Sequence, residues 1–430
     1  MKERCRDMKY VFALVFGMML LPVVCVGDAG IENVIIRQRW PWSNVVDIDF
    51  VVTGEATGIK FTAKYDGAEE FVLAEKDLSG KFKSAEVFEP GIHHVEWNPS
   101  SAGLGDVELK NFSVEVEPED KTYLILNLND GSYRYAASEP EGGWLADPAN
   151  CQTNIVFRRI PKGTRDLGLT DALFEKVSGH YNYEAKHSAT LTSDYYISVY
   201  MITQGQQEYI IAKGKGDTLD TFSKPSVIGT RKYDELRGST NETDRINWPH
   251  TKHDVAQGTV IHHVREIVKN TFNPEWIVDL PSNVQWEYAA KGTNSFDQLL
   301  SVGGKADDEN FYENYTNLLD NVAIWSHNYV SGEDKIVGQK AKNGYGLYDV
   351  IGLGREWVAD LYKNQTVNYS GINPVGPDKG TGGYRLLRSV GCGVEKLNCY
   401  TTAFATHTTQ DGSRFGYRLC INLKSLFKDE

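Results

Sequence analysis

Positive charge is in short supply along this chain. Its 430 residues carry 45 Lys and Arg against 58 Asp and Glu, a formal charge of −13, and no Lys/Arg block gathers the cations into one patch. That balance argues against a nucleic-acid partner. Long apolar runs are also lacking, with one exception at the start. Lys2, Arg4, Arg6 and Lys9 precede an apolar stretch from Val11 to Val26, and small residues follow at Gly27–Ala29. Such a pattern is a secretory signal peptide, assigned to residues 1–29. No other stretch is long and apolar enough to span a bilayer. After signal cleavage the protein is expected without a transmembrane segment, in a secreted, periplasmic or cell-surface location. Cysteine is scarce. Cys5 and Cys25 leave with the signal, so Cys151, Cys392, Cys399 and Cys420 remain. In an exported protein an even number of cysteines makes disulfides the default, and thiol chemistry must compete with that. Catalytic signatures are missing too: there is no Ser-His-Asp order with an elbow and no phosphate loop.

What is present begins as strands. From Asn33 to about Glu117, segments such as "VVDIDFVVTG", "IKFTAKYDG", "GIHHVEWNP" and "VELKNFSVEVEP" are short, β-branched or aromatic, and separated by turn residues. In "VDIDFVV" and "FSVEVE" the apolar positions alternate, so each strand buries one face. Residues 30–119 read as an all-β, immunoglobulin-like sandwich. Trp40, Trp42 and Trp97 are assigned to packing rather than to a carbohydrate platform. His93 and His94 alternate one in and one out, with no ligand partner at metal spacing. The module's expected role is spacing or adhesion.

Residues 120–152 read as a connector: one more strand, "KTYLILNLNDG", then the Gly/Pro/Glu-rich "SEPEGGWLADPAN". From 153 to 430 the pattern mixes strands, a few helices and long loops, which makes the whole chain α+β. Thr203 is a plausible N-cap for a helix over "TQGQQEYIIA". "HDVAQGTVIHHVREIVKN" reads as a second helix, and "LPSNVQWEYAAKG" as a third, capped at Ser282 and closed by Gly292. After Lys291 regular structure is expected to be sparse, and loops longer than usual mark functional or formerly functional regions. The stretch from Asn343 to Cys420 is rich in Gly and aromatics. His250, His253, His262 and His263 lack a carboxylate or cysteine set and read as surface histidines.

Several segments, in order, resemble the formylglycine-generating enzyme (sulfatase-modifying factor) family. They are "IPKGT", "ATLTSDYYISVYMITQGQQEY", "INWPHTKHDV", "LPSNVQWEYAAKG", "NGYGLYDVIGLGREWVAD" and the closing "GYRL". The resemblance covers roughly Asn154 to Leu423. It implies a loop-rich fold related to C-type lectins, with Gly346, Glu356, Trp357, Gly416 and Arg418 as scaffold. It also implies an exported copper oxidase that converts a substrate cysteine in a Cys-x-Pro-x-Arg context to formylglycine, since paired thiolates select copper(I).

At the positions that carry that chemistry the sequence departs. The family's "RGGS" turn falls on Arg388, Ser389, Val390 and Gly391. Its second copper cysteine falls on Cys399 and its first on Val394, with Cys392 two residues early. A structural disulfide, Cys392–Cys399 or one involving Cys420, is favoured over a copper site. His407 replaces an arginine and with it a bidentate anion fork. Leu353 and Ala323 stand where asparagine calcium ligands are expected, and neither offers a side-chain oxygen. No metal or other cofactor is therefore expected, and copper enters only if the oxidase reading holds. Three functions compete: a non-catalytic pseudoenzyme that takes an extracellular ligand or protein through its C-terminal loop face, with Glu395, Asn398, Tyr400, His407 and Asp411 displayed; the copper-dependent oxidase, with Cys399 and Cys392 catalytic; and a cell-surface structural module with no specific ligand. Exchanging ligand-binding side chains on a stiff frame leaves a fold intact, whereas exchanging metal ligands ends catalysis. The first reading is preferred.

Overall fold

The computed structural model describes residues 28–80, 87–105, 108–168, 182–183, 186–238, 255–293, 311–361, 369–376, 384–389, 403–408 and 414–424. The expected signal peptide lies almost wholly outside them. Strands β1 (Gly30–Gln38), β2 (Val46–Thr53), β3 (Gly58–Lys64), β4 (Phe71–Val72), β5 (Leu78–Gly80), β6 (Gly91–Trp97) and β7 (Ser113–Glu119) form two sheets, ordered β1-β2-β6-β5 and β4-β3-β7. Period-two alternation decides which side is buried. Val46, Ile48, Phe50 and Val52 of β2 face Phe61 and Ala63 of β3 and Val95 and Trp97 of β6 in one apolar core, while Asp47 and Asp49 point the other way. Trp97 stacks on Phe112 with ring centroids 5.4 Å apart. Trp42 departs from the packing assignment: it is 90% exposed on the turn after β1. His93 turns inward against Phe88, centroids 4.9 Å apart. His94 turns outward and meets Asp47, Asp49 and Glu96. Asp47 and Asp49 come from the neighbouring strand β2, which sequence spacing alone does not reveal, whereas Glu96 follows two residues on along β6.

The second unit follows in chain order. Its first half holds β8 (Tyr123–Asn127), β9 (Tyr133–Ala136), β10 (Asn154–Ile160), β11 (Gly163–Leu167), β12 (Asn182–Tyr183), β13 (His187–Leu191), β14 (Tyr195–Ser198), α1 (Gln204–Lys215) and α2 (Tyr233–Leu236). Its second half holds α3 (Val260–Val268), β15 (Ile277–Asp279), α4 (Asn283–Ala290), α5 (Phe311–Val322), β16 (Glu356–Leu361), β17 (Gly371–Ile372), β18 (Tyr384–Arg388), β19 (Ala403–Thr408), β20 (Gly416–Tyr417) and β21 (Cys420–Asn422). A six-stranded sheet runs β15-β21-β14-β10-β8-β9, a five-stranded sheet runs β12-β19-β18-β16-β20, and β11-β13-β17 form a third. Residues 120–152 thus supply β8 and β9 to the largest sheet.

Local chemistry explains the helices. Thr203 and Ser282 cap α1 and α4, each through a reciprocal capping box with Gln206 and Gln285. The helix expected from His253 onward begins only at Val260, because Gly258 holds φ +81° and Thr259 is the N-cap. Helix α5 lies where little regular structure was expected. No helix among the described residues is long and apolar enough to cross a membrane.

A buried cation joins the two units. The Lys121 side chain is fully enclosed; its ammonium pairs with Glu75 and lies 3.8 Å from Glu119. It also sits 4.9 Å from the Tyr135 ring centre, and Tyr196 Oη donates to the Lys121 carbonyl at 2.7 Å.

Candidate functional site

The described part of the candidate site is the five-stranded sheet, with α4 packed against β16 and β18. Glu356 opens β16 and is fully buried. Its Oε2 accepts from Trp286 Nε1 at 2.8 Å and from Arg418 Nε at 3.0 Å. Arg418 Nη1 donates to the carbonyls of Ser198 (3.1 Å) and Val199 (2.8 Å), and Nη2 donates to that of Tyr348. The planar fork therefore ties the closing segment to β14 and to the turn before β16. Burial pushes the Glu356 carboxyl up, against the pull of Arg418 and the Trp286 N–H. Trp357 is buried and donates from Nε1 to the Arg231 carbonyl at 2.8 Å. Gly346 holds φ +82°, and a Cβ there would come 2.5 Å from Tyr123 Oη. At Gly416 a Cβ would meet Met201 Sδ at 2.7 Å. Gly346, Glu356, Trp357, Gly416 and Arg418 each make close packing, hydrogen-bond or ion-pair contacts.

A second network was not foreseen as a unit. Arg388, the last residue of β18, places Nη2 at 3.1 Å from Glu287 Oε2, with both side chains fully buried. Its Nε donates to Asn283 Oδ1 at 2.6 Å. Glu287 Oε1 accepts the Gly168 N–H at 2.7 Å, and Lys291 Nζ donates to the Gly168 carbonyl at 2.8 Å. Burial works to raise the Glu287 carboxyl, but Arg388 and Lys291 outweigh it and hold it below the ordinary range. Asp360 accepts the N–H groups of Asn283 and Gly376, each at 2.6 Å. The sequence shows Glu287 in "WEYAAKG" and Arg388 in "RSVG", yet 101 positions separate them.

Two residues on this frame keep a backbone that their side chains do not favour. Leu353 holds φ +55° and Ser389 holds φ +63°. Left-handed conformations suit Gly and Asn and cost other residues roughly 1–2 kcal/mol. The Leu353 side chain is fully buried beside Val199, Met201 and Ile228. Ala323 is equally buried in a separate apolar cluster. Neither presents a side-chain oxygen, so these two positions do not fit a calcium ion. Ser389 is buried as well, and its Oγ has no hydrogen-bond partner among the described residues.

Of the proposed loop-face residues, Cys392, Glu395, Asn398, Cys399, Tyr400 and Asp411 lie outside the described residues. The backbone of His407 is in β19, opposite Arg385 of β18. Cys420 does not take part in a disulfide. It and Cys151 are free, buried thiols, and burial holds the Cys420 thiol well above its usual range.

The description "sulfatase-modifying factor enzyme 1-like domain" matches residues 146–423. The formylglycine-generating enzyme of Bos taurus is 30% identical over 152 residues, which cover 32% of this chain and 37% of that protein. The Mus musculus enzyme is 29% identical over 152 residues, 32% of this chain and 38% of its own. The chain thus spans little more than a third of the length of these curated relatives. Among solved structures, Treponema denticola variable protein 1 is similar at 19% identity and a TM-score of 0.41, covering 62% of this chain and 95% of that one. PvdO from Pseudomonas aeruginosa has 16% identity and a TM-score of 0.41, covering 62% and 94%. This chain belongs to the sulfatase-modifying factor enzyme 1-like family.

Proposed function

We propose that this chain is an exported binding protein on the sulfatase-modifying-factor frame, and that it takes an extracellular ligand or protein through its C-terminal loop face. The display set is Glu395, Asn398, Tyr400, His407 and Asp411. Leu353 carries the reading. It sits fully buried at φ +55°, in a turn whose family counterpart supplies an asparagine oxygen to calcium. Ser389 repeats the pattern with φ +63° at the first glycine of the "RGGS" turn. The frame is kept while reactive and metal-holding side chains are exchanged, and folds tolerate that exchange when catalysis is no longer selected. Val394 at the first copper-cysteine position supports the same reading.

The test is direct. Purified protein is loaded with copper and incubated with oxygen and a Cys-x-Pro-x-Arg peptide, and aldehyde is measured by mass spectrometry. No aldehyde is expected. Aldehyde that disappears in Cys399→Ser overturns the proposal in favour of the oxidase.

A further inference from the structure

The outer face of the first sheet carries a charge cluster that the sulfatase-modifying-factor frame does not use. In the β2–β6 ladder, Asp47 stands directly opposite Glu96 and Asp49 directly opposite His94. Two carboxylates facing each other across a sheet repel unless a cation lies between them. Here the cation is Arg39. Its Nη2 bonds Asp47 Oδ1 at 2.5 Å and also Glu96 Oε1, and its Nε bonds Asp47 Oδ2 at 3.0 Å. Those two bridged oxygens also lie close to Nε2 of the imidazole. His94 Nε2 lies 3.5 Å from Asp47 Oδ1 and 3.9 Å from Glu96 Oε1.

We propose that Asp47, His94 and Glu96 form a site for a divalent transition-metal ion, zinc being the probe, which binds by displacing the Arg39 Nη2 group. Three independent features support it. The three ligand atoms lie within 4.8 Å of one another. Ligands at zinc bond lengths of about 2.0–2.2 Å in a tetrahedral arrangement sit roughly 3.3–3.6 Å apart, so the imidazole-to-carboxylate distances need little closure. The other imidazole nitrogen, Nδ1, is 2.7 Å from Asp49 Oδ1, the outer carboxylate that orients a metal-bound histidine and fixes its tautomer. Ser79 Oγ lies 3.4 Å from Glu96 Oε2 in the same outer role. Charge is the third feature. Among the described residues the Arg and Lys partners of Asp47, Asp49 and Glu96 are Arg37 and Arg39, which leaves one carboxylate charge uncompensated when His94 is neutral. Replacing the Arg39 guanidinium with a dication neutralises the face. The Arg39 side chain is 42% exposed, so it has solvent to swing into.

The test uses the full chain and zinc alone. Zinc stoichiometry and affinity are measured by equilibrium dialysis for the natural protein and for His94→Gln, Glu96→Gln, Asp49→Asn and Arg39→Ala, with folding checked by circular dichroism. Cysteine-bound zinc is common to all five proteins and cancels in the comparison. The natural protein is expected to hold one zinc more than His94→Gln or Glu96→Gln. Asp49→Asn is expected to weaken that site about 10–100-fold, and Arg39→Ala to tighten it at least tenfold. Equal stoichiometry in the natural protein and both ligand variants overturns the proposal. So does a site that appears only in Arg39→Ala, since Arg39 is then the permanent occupant.

Discussion

Arg418 Nε donates to both carboxylate oxygens of Glu356, at 3.0 and 3.1 Å, with the two side chains almost fully enclosed. The pair joins the last segment of the chain to the first residue of β16, and Trp286 from α4 completes it. Removing one partner leaves the other as an unpaired charge in an apolar setting, which costs about 3–5 kcal/mol. Arg418→Ala and Glu356→Ala are each expected to lower unfolding free energy in urea by that amount. Replacing Arg418 with Lys is also expected to destabilise, because an ammonium cannot reach Glu356 and three carbonyls at once.

Ser389 gives a prediction of opposite sign. Its left-handed backbone strains a residue with a Cβ, and its buried hydroxyl lacks a partner among the described residues. Glycine relieves both but adds freedom to the unfolded chain, which takes back about 0.4–1 kcal/mol. Ser389→Gly is expected to stabilise by about 1 kcal/mol, read as a rise in the urea midpoint at unchanged slope. A fall in the midpoint contradicts the idea that this turn keeps a glycine geometry.

Asp349 makes stability depend on pH. It is buried, accepts the Gly338 N–H at 2.8 Å, and burial pushes its carboxyl up to about 6. Because the folded state holds the proton more tightly than the unfolded chain, stability falls as pH rises from about 4 to 6. The full effect is on the order of 3 kcal/mol. Glu356 acts in the same direction, whereas Glu287, held below its ordinary range, acts in the opposite one. The readout is therefore the natural protein compared with Asp349→Asn, which keeps an acceptor for Gly338 and tolerates φ +57°. The variant is expected to be more stable at pH 7.5, with the difference vanishing near pH 4.

Period-two alternation in "VDIDFVV" was enough to assign the inner face of β2, and Thr203 and Ser282 announced their helices through cap chemistry that operates within four residues. What the sequence hid was of longer range. The Glu287–Arg388 ion pair and the His94 contacts with Asp47 and Asp49 depend on cross-strand register and tertiary packing, which no local pattern records. The turn at Gly258 shortened α3 because a positive φ outranks apolar periodicity, so Val255 lies outside the helix. Helix α5 was missed although the sequence carries a start signal for it, Asn310 followed three residues later by Glu313, and apolar residues at Leu318, Leu319 and Val322. The left-handed angles of Leu353 and Ser389 were invisible for a simpler reason: neither residue type announces such a backbone.

Thiol counting separates the two readings of the C-terminal loop face. Cys151 and Cys420 are buried and free, and burial raises both thiols, so each is a poor nucleophile in the folded state. If Cys392 and Cys399 are joined as a structural disulfide, protein produced without residues 1–29 releases two thiols to an aromatic disulfide reagent in denaturant, and four after reduction. In native buffer almost no rapid reaction is expected. A fast, low-pKa thiol before denaturation, abolished by Cys399→Ser, identifies a reactive cysteine on the loop face. That outcome restores the family's chemistry as the better account, because an accessible thiolate is what a copper(I) site requires and what a closed disulfide cannot supply.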